Sequence, residues 1–536
     1  MNAVNPFLLG LQAADQGDFD RANAIANALL QRNPRDVHAI QILGYAAFRQ
    51  GRNADAMNAF LNANELAPGQ PTILYWIGLL YKERGLQHES AKAFGEAVRI
   101  NPQYGEAWCC LGETLYLLDR TADATNAFEK ALTVEPNSNV VLARASRHFE
   151  IIHNLERARA LAEKAVSQIP QDEVAQIALA EINLREKRYD DVVERISPQI
   201  NPKSPNLRNQ AQMNHLMAQA FEKLGKYEEA FFAYSEANRM QSIFGIELSE
   251  KVVSPMHTRH LDRVIRFLDG ADLSRWKDQQ SNGKTPVFLI GFVRSGTTWL
   301  DQILASHQNV AVMEEIDNFV GAWRDLILTD DGLERFVNLS PDEIAHYRDL
   351  YWQSADAALK DDRNKQVIVD KAPLNTAQLP LIARFFPEAK IVFALRDPRD
   401  CVMSAFQQHF QVNPAMAHFL DMRASAEFYD RVMKISDLVQ SKMNLNIHVT
   451  KYESVVEKFD DEVRAVLDFL CLDWTDDVRN YQETAMRRAV RTPSARQVIQ
   501  KPYKTSIGKW RNYRTGMAPA LPILAPWVQR YGYDPD

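Results

Sequence analysis

Pro286-Val287-Phe288-Leu289-Ile290 runs into Gly291-Phe292-Val293-Arg294-Ser295-Gly296-Thr297-Thr298, and Trp299 to Ser306 follows. The first run is short and continuously apolar, which predicts a strand buried on both faces of a parallel sheet. Trp299 to Ser306 has helical periodicity. A strand, a glycine-bounded turn and a helix together form an anion cradle, because the turn N–H groups and the positive end of the helix converge on one point. Gly291 and Gly296 permit close approach and unusual dihedrals, and the Thr297 and Thr298 hydroxyls add donors. A plain strand-to-helix connector can use the same glycine turn, so the surrounding segments decide between the two.

The spacing Gly291-x-x-x-x-Gly296 matches the Walker A loop, but Thr297 stands where that loop carries its lysine. With Arg294 inside the turn, this argues against an ATPase or a kinase. A second strand, Lys390 to Leu395, leads into Arg396-Asp397-Pro398-Arg399-Asp400 and a helix through Met403, Ser404 and Phe406. An arginine at a strand's carboxyl end and a serine on the next helix can grip a second phosphate, the guanidinium bidentately. The alternative is a surface Arg/Asp ion-pair cluster in a βα loop.

Toward the N-terminus the chain repeats. Pro34, Pro68, Pro102, Pro136 and Pro170 are spaced by 34 residues, as are Gly44, Gly78 and Gly112, and Phe60, Phe94 and Phe128. Ala22, Ala56, Ala124 and Ala158 share the period, with Ser90 in the intervening place. Small residues let two antiparallel helices approach, the phenylalanines fill the space between neighbouring pairs, and proline closes the second helix of each pair. The pattern resembles the tetratricopeptide repeat, with Trp76, Gly78 and Tyr81 at its aromatic, glycine and aromatic places. Five clear repeats span roughly residues 6 to 172, and two weaker ones follow, the last carrying Gly225-Lys226-Tyr227-Glu228-Glu229-Ala230. Such a superhelix offers a concave face to a protein or peptide; it could instead only dimerise the chain or brace its neighbour.

The chain of 536 residues exceeds a single core. A net charge of −7 gives no overall attraction to nucleic acid or an anionic membrane. No stretch approaches the roughly 20 apolar residues of a membrane span, and the first residues lack a signal-peptide pattern. Cys109, Cys110, Cys401 and Cys471 show no metal-ligand spacing and read as reduced thiols, pointing to the cytoplasm. The expected architecture is therefore multidomain: an all-α repeat superhelix over 1–240, a helical linker over 241–284, and an α/β, P-loop-like domain with a central parallel sheet over 285–536.

Val287 to Ile303 resembles the 5′-phosphosulfate loop of sulfotransferases, and Ile391 to Phe406 resembles their 3′-phosphate segment. The tyrosylprotein sulfotransferase branch is the nearest in motif. His307-Gln308-Asn309-Val310 and Met313-Glu314-Glu315 resemble its turn and paired glutamates, although Gln308 replaces a proline. Val369-Asp370-Lys371-Ala372-Pro373, Ser494-Ala495-Arg496-Gln497-Val498-Ile499 and Ile507-Gly508-Lys509-Trp510 resemble three further motifs in the family's order. Asp317 departs from the branch, which has a basic substrate-contacting residue there.

The resemblance implies 3′-phosphoadenosine 5′-phosphosulfate as co-substrate, with no metal. It assigns Arg294, Ser295, Gly296, Thr297 and Thr298 to the 5′-phosphosulfate, and Arg396, Ser404 and Lys509 to the 3′-phosphate. Lys371 would neutralise the leaving oxygen, and Ser494 would touch the donor or the transferred group. Glu315 would be the general base, with Glu314 and His307 as the other candidates. His307 has a structural-turn reading, Lys371 a strand-capping one, and the glutamates could simply open a helix. The acceptor would be a hydroxyl of a protein tyrosine, a carbohydrate or a metabolite, and the repeats would bind a partner or protein substrate. Rival readings are a P-loop small-molecule kinase and a repeat scaffold with an inactive sulfotransferase-like domain. Oligomeric state is not legible.

Overall fold

The computed structural model describes residues 5–204, 206–276, 284–483 and 504–536. The chain divides into two compact units, Met1–Lys203 and Ser204–Asp536. The first unit is all-helical. Its helix pairs run from Pro6–Asp15 with Phe19–Arg32 to Glu173–Arg185 with Tyr189–Ile196. The second helices of the first five pairs end at Arg32, Leu66, Ile100, Val134 and Gln168, in each case two residues before the recurring proline.

The glycine and phenylalanine columns meet inside each pair. A Cβ on Gly78 would lie 2.7 Å from the Phe94 ring, and one on Gly112 2.7 Å from Phe128. Phe60 covers Gly44 in the same way and also stacks on Trp76 of the next pair, at 5.9 Å. The ring thus packs within a pair and between pairs. Ser90, the exception in the alanine column, is fully buried and donates to the Gly78 carbonyl at 2.9 Å. Its hydroxyl is tolerated there because it has a partner.

In the second unit, β1 (Val287–Gly291), β2 (Val310–Glu314), β3 (Val367–Lys371), β4 (Lys390–Leu395) and β5 (Asn446–Lys451) form a parallel sheet in the order β2-β3-β1-β4-β5. Alternate residues of β1 enter different cores. Phe288 and Ile290 pack with Tyr351, Phe385 and Phe428, whereas Val287 and Leu289 pack with Leu300, Ile303 and Val466. Helices therefore cover both faces, as the continuous apolar run of β1 requires. The chain leaves β1 toward β2 and β3 on one side and β4 and β5 on the other, so β1 sits at the switch point where α/β sheets bind ligands beyond the strand ends.

The division between the compact units falls at Lys203/Ser204, between the sixth and seventh helix pairs. The seventh helix pair, α1 (Leu207–Lys223) and α2 (Tyr227–Glu250), contributes Ala218, Ala230, Ala233 and Tyr234 to the core on one sheet face. The segment expected to be a linker holds the helix Thr258–Gly270, whose Leu261, Val264 and Leu268 join that core together with Trp276. Its apolar residues are spaced for burial on one face, and they pack into that core. No helix among the described residues is long and apolar enough to cross a membrane.

Phe94 is fully buried against Gly78. Phe94→Ala should cost about 3–5 kcal/mol by leaving a cavity and losing apolar burial. Denaturant unfolding of the full chain, compared with wild type, measures this.

Candidate functional site

The ends of β1, β2, β3 and β4 bring most of the expected residues together. β1 passes through Phe292 to Gly296 into α3 (Thr297–Ser306). Arg294 and Gly296 both have positive φ, at 70° and 98°. A non-glycine residue in that region costs about 1–2 kcal/mol, so Arg294 is held by its surroundings. A Cβ on Gly291 would lie 2.5 Å from the Ala394 carbonyl and 2.6 Å from Ser295 Oγ. Only glycine lets the loop root lie this close to β4.

The two phosphate segments are tied to each other. Arg294 Nε donates to Ser404 Oγ at 3.0 Å, on α4 (Pro398–Phe406), and Arg396 Nη1 donates to the Arg294 carbonyl at 3.1 Å. Arg396 also donates to the Ser506 carbonyl at 2.6 Å and lies 4.7 Å over the Tyr452 ring. Burial works against its charge, but Asp400 and its neighbours outweigh that and hold its pKa above the ordinary value. Ser295, Thr297 and Thr298 are buried. Two buried polar atoms here, Ser295 Oγ and Arg396 Nε, have no hydrogen-bond partner. Buried donors are ordinarily satisfied, and an orphaned hydroxyl in the glycine loop with an orphaned guanidinium N–H after β4 suits an anion.

Lys371, the last residue of β3, is fully buried. Its Nζ lies 2.9 Å from Glu315 Oε1, 3.2 Å from Asp301 Oδ2 and 3.5 Å from Glu314 Oε1. Burial pulls the lysine down, but Asp301, Glu315 and Glu314 together hold its pKa above the usual lysine value. The two glutamates do not open a helix. Glu314 ends β2, and Glu315 follows it with φ of 53°, its N–H donating to the Lys371 carbonyl at 2.7 Å. Glu315 is 45% exposed at the side chain and Glu314 18%, so Glu315 is the more accessible of the two.

His307 is buried, accepts at Nδ1 from the Asn309 N–H at 3.1 Å, and contacts the Asp473 carbonyl through Nε2 at 3.0 Å. Both ring nitrogens are engaged by backbone, in keeping with the turn reading. Asp317 accepts from the Phe319 N–H at 3.2 Å and from Trp323 Nε1 at 2.8 Å, which fixes the start of the helix Val320–Leu326. Lys509 Nζ lies 2.8 Å from Glu222 Oε2 and 3.0 Å from Gln407 Oε1. Asp400 accepts from the Gly508 and Trp510 N–H groups on either side of it, at 2.7 and 2.9 Å. Ser494 lies outside the described residues.

Residues 286–476 match the model of the sulfotransferase family, and tetratricopeptide-repeat models match residues 7–71, 71–104 and 211–243. The chain carries a sulfotransferase domain together with tetratricopeptide repeats. The last repeat match falls on α1 and α2, within the same compact unit as the sulfotransferase domain.

The chain is similar to an uncharacterized protein of Aquifex aeolicus, 26% identical over 442 residues, which are 80% of this chain and 56% of that one. The chain thus spans little more than half the length of that relative. Its sulfotransferase half is similar to protein-tyrosine sulfotransferase 1 of Danio rerio, 24% identical over 274 residues, 46% of this chain and 72% of the relative. Protein-tyrosine sulfotransferase 2 of Gallus gallus is 24% identical over 266 residues, 46% and 69%.

Several site residues of the sulfotransferase domain escaped the sequence reading. Asp301 sits in the apolar pattern of α3, where nothing in its spacing marks it as a partner of Lys371. Tyr452 follows β5, a strand whose mixed residues gave no clear signal; a Cβ on Gly296 would come within 2.8 Å of its ring. Glu222 lies in a repeat helix, far from the other motifs in sequence.

Asp370, beside Lys371, is pushed up to about 6 by burial, against the opposing donors Asn318 and Tyr351, with Asp317 adding to the rise. Its folded pKa exceeds the ordinary 3.8. Between these values the folded chain therefore binds the extra proton, and stability falls as pH rises from about 4 to 6. Asp370→Asn should remove that slope, as unfolding titrations across this range would show. Lys371→Met should cost about 3–5 kcal/mol, because it leaves the buried Asp301 carboxylate without its counter-charge; denaturant unfolding at neutral pH measures it.

Proposed function

We propose that the sulfotransferase domain moves a sulfuryl group from 3′-phosphoadenosine 5′-phosphosulfate to an acceptor hydroxyl. The observation that carries this reading is the buried, unpartnered pair Ser295 Oγ and Arg396 Nε, with Arg294 between them accepting from Arg396 at its carbonyl and donating to Ser404 from its side chain. A donor with charge at both its 5′ and 3′ ends suits two linked anion cradles. Ser295, Gly296, Thr297 and Thr298 would receive the 5′-phosphosulfate with Arg294, while Arg396, Ser404 and Lys509 would receive the 3′-phosphate.

In this reading Glu315 takes the acceptor's proton as its oxygen attacks sulfur. The bond from sulfur to the bridging phosphate oxygen breaks, and Lys371 neutralises the charge that develops there. Glu315 and Lys371 are bonded to each other at 2.9 Å. The arriving bridging oxygen competes for the ammonium, which frees the carboxylate when the donor is in place. In this reading the charge on the leaving group is met by Lys371 and Arg294, and the chemistry needs no metal. The acceptor is a hydroxyl of a protein tyrosine, a carbohydrate or a metabolite, and the repeats present a partner or protein substrate. The cysteines, free and mostly buried, fit a cytoplasmic setting.

Release of 3′-phosphoadenosine 5′-phosphate should follow when the protein is mixed with the donor and a panel of tyrosine peptides, glycans and hydroxylated metabolites. Arg294→Ala should slow it about 10²–10³-fold by removing a transition-state donor. Glu315→Gln should slow it about 10²–10⁴-fold, the usual range for a general base. Absence of donor binding and of product with every acceptor would overturn the reading.

A further inference from the structure

Glu222 belongs to the repeat helix α1, yet its carboxylate faces the segment that carries Lys509. Its Oε2 accepts from Lys509 Nζ at 2.8 Å, Gln407 Nε2 at 2.7 Å and Tyr513 OH at 2.7 Å. The Glu222 side chain is only 13% exposed. Burial raises its pKa, but Lys509 and Tyr513 outweigh this and hold it below the ordinary glutamate value. The carboxylate is therefore charged and committed to these three donors at neutral pH.

Lys509 is fixed from every side. Asp400 brackets its backbone through the Gly508 and Trp510 N–H groups, and Gln407 Oε1 and Glu222 Oε2 hold its ammonium. Gln407 follows directly on α4, three residues after Ser404, so the ammonium is anchored to the helix that carries the serine. An ammonium has three N–H donors, and two of them point at Gln407 and Glu222. Burial lowers the pKa of Lys509, Glu222 opposes this, and the charges of Lys223 and then Arg396 lower it further. Arg396 donates to the Ser506 carbonyl, three residues before Lys509, at 2.6 Å, so both cations belong to one hydrogen-bonded segment and are suited to sharing an anion.

The other contacts of the pair serve the same place. Asn238 on α2 donates to the Phe406 carbonyl at 2.9 Å, at the end of α4, and Phe231 stacks on Phe406 at 5.4 Å. The repeat helices thus brace the carboxyl end of α4 and aim one charge past it.

Resting on the reading that the donor carries a 3′-phosphate, we propose that Glu222 is a positioning residue for that phosphate. It holds Lys509 against α4, so the first helix of the last repeat pair is a working part of the donor site. Lys509 touches the phosphate and Glu222 acts only through Lys509.

The test uses the full chain and two probes, 3′-phosphoadenosine 5′-phosphate and AMP, which lacks the 3′-phosphate. Calorimetry on wild type, Glu222→Gln, Lys509→Met and the double variant gives both affinities. Glu222→Gln should weaken the bisphosphate about tenfold, as expected for one charge-assisted hydrogen bond, and leave AMP unchanged. Adding Glu222→Gln to Lys509→Met should cost nothing more, because the two act as one unit. Equal loss for both probes would reduce Glu222 to a packing role and overturn the proposal. Unchanged or tighter bisphosphate binding would overturn it too, by making Glu222 neutral or a competitor. Should Glu222→Gln not fold, Glu222→Asp withdraws the carboxylate from Lys509 and should show the same selective loss. If wild type does not prefer the bisphosphate to AMP, the donor reading itself fails.

Discussion

Lys371 places a full positive charge at the end of β3 with no access to water, and the carboxylates of Asp301, Glu314 and Glu315 make that burial tolerable. The three arrive from different elements. Asp301 comes from the helix that the glycine loop starts, Glu314 from the last position of β2, and Glu315 from the turn that follows. Such a cluster is not the most stable filling for a core, since apolar residues of similar volume often do as well or better. Once present it fixes the mutual position of the anion loop, the acidic turn and the central strand. A small shift in any of them would leave a buried charge unpaired.

The backbone accommodates this cluster through two close approaches. Gly291 lies against the Ala394 carbonyl, and its own carbonyl accepts from Thr376 Oγ1 at 2.6 Å. Gly296, in the left-handed region, lets Tyr452 lie beside the start of α3. These contacts draw β1, β4 and β5 together at their carboxyl ends. The tyrosine in turn carries the Arg396 guanidinium on its ring and contacts Ser506 through its hydroxyl at 2.9 Å. Backbone geometry thus sets how closely β1, β4 and β5 approach at their carboxyl ends.

The repeat period, the glycine loop and β4 were legible because each rests on a local pattern: columns at 34 residues, an apolar run before glycine, an arginine after a strand. These patterns carried the repeat class and the parallel sheet, and they marked the two segments that Arg396 joins by donating to the Arg294 carbonyl. The partners that complete the site were not legible, because they come from residues whose neighbours say nothing. Asp301 is a polar residue inside an apolar helix, and its meaning appears only when β3 lies beside α3. β5 was silent for a related reason: an edge strand with Val449 half exposed need not show the continuous apolar run of a central one. The alanines of α1 and α2 keep the repeat pattern and also enter the core on one sheet face, a second role that the 34-residue period does not show.

The last repeat pair is part of the compact unit that holds the sheet. Here Asn238 donates to main-chain oxygens of Phe406 and Phe419, and Tyr234 and Ala233 lie in the same core as Phe288 and Tyr429. Buried amides bonded to another element's backbone cannot be withdrawn without leaving those carbonyls unsatisfied, a cost of about 1–3 kcal/mol each. The pair therefore has the sequence of a repeat and the packing of a domain element. Whatever holds α1 and α2 in place also holds the carboxyl end of α4, the helix on which Ser404 meets Arg294.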